Sequence, residues 1–276
     1  MSVLSRLLRS PEGAIGLAIL VLLALMALFA GVIFPRDPLS IVGPALVPPF
    51  TDGLFPLGTD RLGRDVLAEL VHGARASLAV GIAAAVVSLV IGSVVGTLAG
   101  FAGGLVDEAL MRIVDAFQIV PAFLLALAFV SVAGASLPVV VFAIALGAWT
   151  APARLARAEV LSIRERDYVA AARVIGMRPL EIALREVLPN ALPPVLALSS
   201  VIVASSVLIE AALSFLGLSD PNIVTWGSMI SEGRNVLRSA PFLSIFPGMA
   251  LMVTVLGVYL FSEGLAQALA KRRARA

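Results

Sequence analysis

Residues 14–34 read AIGLAILVLLALMALFAGVIF, an uncharged run of 21 residues. As an α-helix rising about 1.5 Å per residue, the run would be roughly 31 Å long, which matches the hydrocarbon core of a bilayer. A secretory signal peptide would have a shorter apolar segment, of about 7–15 residues, and small side chains before its cleavage site. Here Leu28 stands three residues before any cut after Ala30. The run therefore predicts a retained anchor helix.

The composition extends this prediction to the whole chain. Of 276 residues, 60% are hydrophobic and 14% are charged, whereas soluble domains average about 45–50% apolar and about 25% charged residues. Lipid is the solvent that accommodates such an excess. Further apolar runs of near-spanning length cover residues 76–101, 116–134, 137–156, 193–217 and 243–265. We therefore expect an all-α polytopic membrane protein with about six transmembrane helices.

The segments between the runs suggest a domain organisation. Six prolines fall within residues 35–75, and proline interrupts helices, so this segment is predicted to lie outside the membrane. Residues 1–75 are then an N-terminal anchor helix with an outer loop, and residues 76–276 form the core domain. A polar loop at residues 157–190 separates the fourth and fifth runs.

The basic residues predict an orientation. If the N-terminus is cytoplasmic, 14 of the 20 Lys and Arg residues lie on the cytoplasmic side, including Arg6, Arg9 and the tail from Lys271 to Arg275. Cytoplasmic loops of membrane proteins carry the excess of positive charge. Both termini are therefore expected in the cytoplasm.

Several classes of chemistry are excluded by composition. A Walker A loop requires Lys followed by Ser or Thr, but the single lysine, Lys271, is followed by Arg272. The chain has no cysteine and one histidine, His72, so neither a thiolate nor a histidine metal centre is expected. We predict a non-enzymatic protein that binds no cofactor, metal or nucleic acid itself and is surrounded by membrane lipid.

The polar loop has the features of a helix, a tight turn and a second helix. Ala170, Ala171 and Ala172 favour a helix, Gly176 is placed to end it, and Pro179 suits the start of the next one. Apolar residues on this hairpin, namely Val169, Ile175 and Met177, could seat in a partner's groove. The alternative is a loop that packs only on its own bundle.

Residues 170–176 read AAARVIG and residues 187–190 read VLPN, a pattern that resembles the EAA loop of ABC importer permeases. Ala170 stands where that loop usually has Glu. The resemblance implies a cytoplasmic coupling helix that docks on an ATP-binding subunit. The implied contact residues are Val169, Ala170, Ala171, Ala172, Arg173, Ile175, Gly176 and Met177.

Other segments resemble the C-type permease subunit of dipeptide, oligopeptide and nickel transporters. These are PLGTDRLGRDV at 56–66, GARASL at 73–78, GFAGGLVDEALMRIVD at 100–115, EAALSFLG at 210–217 and WGSMISEGR at 226–234. The resemblance implies a type I importer permease in the bacterial inner membrane that forms half of a pore for peptides. The implied partners are a B-type permease, two ATP-binding subunits carrying ATP and Mg²⁺, and an extracytoplasmic solute-binding protein.

Two sets of charged residues are further candidates. Glu210 lies near the outer end of the fifth run. An ionisable group in a span is a functional candidate, here for the substrate path; the alternative is a carboxylate that reaches water at the membrane surface and has no special role. Asp60, Arg64 and Asp65 either brace the outer loop or contact the solute-binding protein. A third set at helical spacing, Asp107, Glu108, Arg112 and Asp115, is expected to brace a helix, with Glu108 and Arg112 as an i, i+4 pair.

Two features of the runs bear on helix shape. Gly92, Gly96 and Gly100 share one helix face, where they predict close helix packing in preference to a pore hinge. Pro121 removes a backbone donor and is expected to kink the third span.

A secondary transporter driven by an ion gradient is the alternative function. That class often contains inverted repeats, and we find none between residues 1–138 and 139–276. The middle of the six runs also lacks the paired carboxylates of a proton relay.

Overall fold

The computed structural model describes residues 7, 8 and 10–273, with side chains to residue 268. The charges of Arg6, Arg9 and the tail from Lys271 to Arg275, which support the predicted orientation, lie outside the side chains described. Helices account for the membrane part of the described chain, and the only β pairing in it is an isolated bridge between Thr59 and Asp65. The fold is therefore all-α, as predicted.

Twelve α-helices follow one another along the described chain. They are α1 (Pro11–Ile33), α2 (Val66–Ala102), α3 (Gly104–Ile119), α4 (Ala122–Ala133), α5 (Leu137–Ala148), α6 (Thr150–Ile163), α7 (Asp167–Val174), α8 (Pro179–Ile182), α9 (Leu188–Ala197), α10 (Ser199–Phe215), α11 (Trp226–Gly233) and α12 (Phe242–Arg273). A π-helical turn, Ala183–Val187, joins α8 to α9, and a 3₁₀ turn, Arg234–Val236, follows α11.

Three of these helices are long and apolar enough to cross a membrane singly: α1, α2 and the Phe242–Ala268 part of α12. Three bent pairs meet the same criterion together. α3 and α4 meet at 84°, α5 and α6 at 46°, and the segment Pro179–Ala197 meets α10 at 51°. Counting each pair as one span gives the six predicted spans, half of which are broken.

The second span begins earlier than the sequence predicted. α2 starts at Val66, within the predicted outer loop, and runs through residue 75 without interruption. Asp65 caps its N-terminus, since the carboxylate Oδ1 accepts the Leu67 N–H at 2.9 Å. Charged residues in the first turns concealed this start, because they interrupt the apolar run while being compatible with a helix. The last proline before it, Pro56, lies outside the helix.

The third span bends at Pro121, as predicted. α3 ends at Ile119, Val120 is extended, and Pro121 precedes the first residue of α4. The extended conformation of Val120 follows from the steric restriction that proline places on the preceding residue. The break is wider than a kink, because the two helices meet at 84°.

The glycine face of α2 packs closely on α6, which confirms the packing interpretation. A Cβ atom built on Gly92 would lie 2.6 Å from the Trp149 carbonyl oxygen, and one on Gly100 would lie 2.9 Å from that of Arg157. Gly96 meets the Ala153 carbonyl oxygen more closely still. Any larger side chain would separate the two helices, so α2 and α6 form one tightly packed unit.

Buried apolar clusters lie at both ends of this unit. Near the start of α2, Val66 and Trp226 share a cluster with Val207 and Met229, which holds α11 against α2 and α10. Near the end of α2, a second cluster joins α6 and α7 to the chain that follows the hairpin. The two ends carry the candidate sites.

Candidate functional site

The polar loop forms the predicted helix, turn and helix. α7 ends in a Schellman motif: the Gly176 N–H donates to the Arg173 carbonyl and the Met177 N–H donates to the Ala172 carbonyl, both at 3.1 Å. Gly176 has φ +83°, in the left-handed region that favours glycine. α8 then begins at Pro179. The break between the two helices follows from Gly176 and from the proline three residues later.

One face of α7 packs on this chain's own bundle. Val169 and Ala172 are buried in a cluster with residues of α6, α8, the π-helical turn and α9, namely Val160, Ile163, Ile182, Val187 and Ala191. Met177 packs partly against the same cluster. Apolar contacts were predicted for Val169 and Met177 with an ATP-binding subunit, but these side chains contact their own chain. The spacing of three between Val169 and Ala172 places both on the inward face.

The opposite face of α7 is exposed. We call this face and the two turn residues that follow it the coupling face, which consists of Ala170, Ala171, Arg173, Val174, Ile175 and Gly176. Val174 is 86% exposed and Ile175 is 77% exposed, and no other described part of the chain covers them. Val174 was missing from the predicted contact set. Its spacing from Ala170 and Ala171, four and three residues, could have placed it on the same face.

The predicted loop residues Asp60, Arg64 and Asp65 brace their own segment. Asp60 is buried, and its Oδ1 accepts the backbone N–H groups of Leu62 at 2.8 Å and Arg64 at 2.7 Å. Asp65 is the cap of α2. These contacts lie within the segment itself, and contact with a solute-binding protein stays a prediction.

Arg64 lies among three carboxylates that we name the Arg64 cluster. Its Nε atom is 3.8 Å from Asp60 Oδ2, and its Nη1 atom is 3.6 Å from Glu69 Oε1 and 3.8 Å from Glu232 Oε1. Burial raises the pKa of Glu232; Arg64 opposes this effect and the Asp60 charge adds to it. Sequence analysis did not identify Glu69 or Glu232, because nothing in the sequence brings the start of α2 to the end of α11.

Glu210 lies in a second polar group, which we name the Glu210 bracket. The residue is 1% exposed. Its Oε2 accepts a hydrogen bond from Ser77 Oγ at 3.1 Å and its Oε1 accepts one from Ser214 Oγ at 2.7 Å. Ser77 Oγ accepts the Trp226 N–H at 3.2 Å, and Thr225 Oγ1 donates to Ser214 Oγ at 3.3 Å. The carboxyl group thus joins α2, α10 and the start of α11, and it does not line an open path in this structure.

Ion pairs brace the opposite end of the bundle. Arg157 donates two hydrogen bonds to Asp107, at 2.5 and 2.6 Å, and Arg154 pairs with Asp115 at 2.5 Å. The predicted pair of Glu108 and Arg112 is present at 3.8 Å. The predicted brace therefore extends beyond one helix, because Asp107 and Asp115 tie α3 to α6.

Most of the chain matches a family of known proteins. Residues 88–275 match the family described as "Binding-protein-dependent transport system inner membrane component". The probable peptide ABC transporter permease protein y4tQ of Sinorhizobium fredii is 42% identical over 260 residues, covering 93% of this chain and 88% of that protein. The di/tripeptide transport system permease protein DppC of Pseudomonas aeruginosa is 38% identical over 265 residues, covering 94% and 88%.

A solved structure shares the fold. The inward-facing MetNI methionine ABC transporter aligns with a TM-score of 0.58 at 21% identity, over 73% of this chain and 95% of that chain. Its identity is low enough that the match speaks for the fold alone. The 188 residues of the family match and the relatives above 30% identity support one conclusion. The chain belongs to the family of inner membrane components of binding-protein-dependent transport systems.

Proposed function

We propose that this protein is a permease subunit of an ATP-driven peptide importer and forms half of its translocation pore. The family supplies the transport role, and relatives named for peptide, di/tripeptide and oligopeptide transport support peptides as the cargo. The chain itself is not an enzyme, and partner subunits bind ATP and Mg²⁺ and hydrolyse the ATP. Neither the family nor the relatives give support to the ion-gradient alternative.

The coupling proposal rests on the difference between the two faces of α7, one packed on this chain and the other exposed. Its exposed face presents Val174 and Ile175 to the surroundings, and exposed apolar patches of this kind typically mark interaction sites. We propose that the coupling face docks on an ATP-binding subunit. The absence of Glu at Ala170 leaves a small side chain there, which permits close approach of the partner to the α7 backbone.

The packing between α7 and the rest of the bundle supports a route by which a movement of α7 would reach other helices. Val169 and Ala172 join α7 to α6 through buried contacts. The glycine face joins α6 to α2, and the pairs of Arg157 with Asp107 and Arg154 with Asp115 join α6 to α3. Displacement of α7 would therefore move α6, α2 and α3 together as a rigid body, the usual form of such switching motions.

The complete assembly in this proposal contains three further subunits and one soluble partner protein. A B-type permease completes the pore, two ATP-binding subunits supply the driving force, and an extracytoplasmic solute-binding protein delivers the peptide. We place the complex in the bacterial inner membrane with both termini of this chain in the cytoplasm. We retain residues 1–75 and 76–276 as the proposed anchor and core units, joined by the continuous helix α2.

Reconstitution tests the proposed function. The chain would be purified with its B-type partner and ATP-binding subunits and placed in proteoliposomes with the solute-binding protein and a labelled dipeptide. Uptake should require ATP and all the subunits, and the chain alone should show neither ATPase activity nor uptake. Peptide uptake by the chain alone, driven by an imposed proton gradient, would overturn the proposal.

A further inference from the structure

The Arg64 cluster has the oxygen geometry of a cation site. Asp60, Glu69 and Glu232 each place one carboxylate oxygen within 4.8 Å of the other two. Two oxygens that each lie about 2.4 Å from a calcium ion are at most about 4.8 Å apart. We propose that these three carboxylates bind a divalent cation of the calcium type.

The charge balance supports the proposal. Within the cluster one guanidinium faces three carboxylates, so the cluster carries two excess negative charges if all its members are ionised, and the nearby charge of Arg61 offsets part of this excess at Glu232. The distances from Arg64 to the carboxylate oxygens are 3.6–3.8 Å, which is longer than a hydrogen bond. Arg64 therefore compensates part of the charge without occupying the hydrogen-bonding positions of the three acids. A divalent cation would neutralise the remainder.

A second, independent observation points to a ligand. Asp60 is buried and its Oδ2 atom has no hydrogen-bond partner, although Oδ1 accepts two backbone N–H groups; Arg64 Nε, 3.8 Å from Oδ2, is likewise buried without a hydrogen-bond partner. Those two bonds fix the carboxylate, so Oδ2 is held toward Arg64 and the other acids. A buried acceptor without a donor is unfavourable unless something binds it. A metal ion would satisfy Oδ2 without any movement of the loop.

The surroundings leave room for the ion and its water ligands. A cavity of about 180 Å³ adjoins the cluster, lined in part by Arg64, Glu69, Asp220, Ser228 and Glu232. Calcium accepts six to eight oxygens in irregular geometry, whereas magnesium requires a near-octahedral set at about 2.0–2.1 Å. Three carboxylates on separate segments, one of them with a half-exposed side chain, fit the calcium pattern better.

The ion would join two neighbouring segments to a third that is distant in sequence. Asp60 belongs to the loop before α2, Glu69 to the first turns of α2, and Glu232 to the end of α11. Binding should therefore stabilise the attachment of the loop and of α11 to α2. This effect can be measured without transport, so the result is independent of the proposed function.

The test is calcium binding by the purified full-length chain in detergent after removal of metals with a chelator. Isothermal titration with CaCl₂ alone should give one site per chain, and calcium should raise the unfolding temperature more than an equal concentration of MgCl₂. Glu232→Gln removes the most exposed ligand and should weaken calcium binding by at least about tenfold, as loss of a site's coordinating or supporting group commonly does. A cooperative thermal unfolding transition of the variant in chelator would show that the variant is folded.

Asp220→Asn is the matched control, because Asp220 lines the same cavity but is not one of the three clustered ligands. It should change the affinity by less than about twofold, since it alters only the charge near the site. The proposal is overturned if the wild-type chain shows no saturable calcium binding. It is also overturned if Asp220→Asn weakens binding as much as Glu232→Gln does, which would indicate diffuse surface attraction.

Discussion

The two ends of the bundle differ in which side chains they bury and which they expose. Near the start of α2, polar groups are buried: Glu210 accepts hydrogen bonds from two serine hydroxyl groups, and Asp60 Oδ1 accepts two backbone N–H groups of its own loop. Beyond the end of α2, apolar groups are exposed on α7, with Val174 and Ile175 uncovered by any described part of the chain. Buried polar groups that are satisfied within the chain define its own structure. Exposed apolar groups on a rigid hairpin are free to define a contact with another protein.

The largest expected effect comes from breaking the Glu210 bracket. Glu210→Ala would remove the acceptor of Ser77 and Ser214 and leave a cavity, so it should destabilise the chain by roughly 3 kcal/mol. Glu210→Gln keeps the shape of the side chain and one acceptor oxygen, so it should lower the free energy of unfolding by about 1 kcal/mol or less. Thermal unfolding in detergent measures both changes.

The same pair of variants separates a bracket from a substrate contact. If Glu210 only holds α11 to α2 and α10, a folded Glu210→Gln complex should import peptide with an unchanged KM. A well-folded Gln variant whose KM rises severalfold would restore Glu210 to the substrate path that the sequence first indicated.

The next effect concerns the turn at the opposite end. A Cβ at Gly176 would meet nothing within 4 Å, yet the residue has φ +83°, so a substitution is resisted by backbone conformation and not by space. Gly176→Val should lower the free energy of unfolding by about 1–2 kcal/mol, because valine is disfavoured in the left-handed region. It should also misplace the coupling face. We expect ATP-dependent uptake in proteoliposomes to fall by about tenfold, the equivalent of about 1.4 kcal/mol.

Gly176→Asn is the matched control, since asparagine tolerates the left-handed region. Its uptake should stay within about twofold of the wild type. If Asn impaired uptake as strongly as Val, the coupling face itself would have to exclude any side chain at this position.

Sequence analysis predicted local features of both ends but not the contacts between remote segments. The hairpin turn followed from Gly176 and Pro179, and the close packing of α2 followed from glycines four residues apart. Each of these predictions depends on the conformational preferences of residues near one another in the chain. They could be made from a single sequence because the physical cause is local.

The Arg64 cluster and the Glu210 bracket could not be predicted in the same way. Glu232 reaches Arg64 only because α11 folds back on the start of α2, and Ser77 reaches Glu210 across 133 positions. The inward face of α7 was also missed, because Val169 is as apolar as Val174 and composition does not distinguish a bundle-facing residue from a partner-facing one. Helical spacing, applied to the hairpin, could have separated these two residues.

A third prediction contrasts exposed apolar residues at the two ends. Val174→Asp should leave the stability of the isolated chain within about 0.5 kcal/mol, because the side chain is uncovered, but should weaken assembly with the ATP-binding subunits severalfold. Leu54, 78% exposed in the loop at the other end, supplies the control Leu54→Asp. Co-purification and ATPase activity should fall only for Val174→Asp. Equal losses from both changes would show a general effect of added charge, not a contact at the coupling face.

The smallest expected effect is a pH dependence of the stability of the chain, which arises in the Arg64 cluster. Burial raises the pKa of Glu232 above its ordinary value of 4.5, so the folded chain holds this proton more tightly than the unfolded chain does. The resulting stability is fully present below pH 4.5 and is lost as the pH rises through the raised pKa. In chelator, Glu232→Gln should therefore become more stable relative to the wild type on going from pH 4 to pH 8.

This difference should stay below about 1 kcal/mol, because 49% of the Glu232 side chain is exposed and solvent screens its charge. Thermal unfolding of both proteins across the pH range measures it. Saturating calcium at pH 8 should reverse the order, since the ion binds the ionised wild-type site more tightly than the site that lacks one ligand. A difference between the proteins that is constant with pH would show that Glu232 titrates alike in the folded and unfolded chains, and that the end of α11 is not held against the start of α2 as closely as the structure indicates.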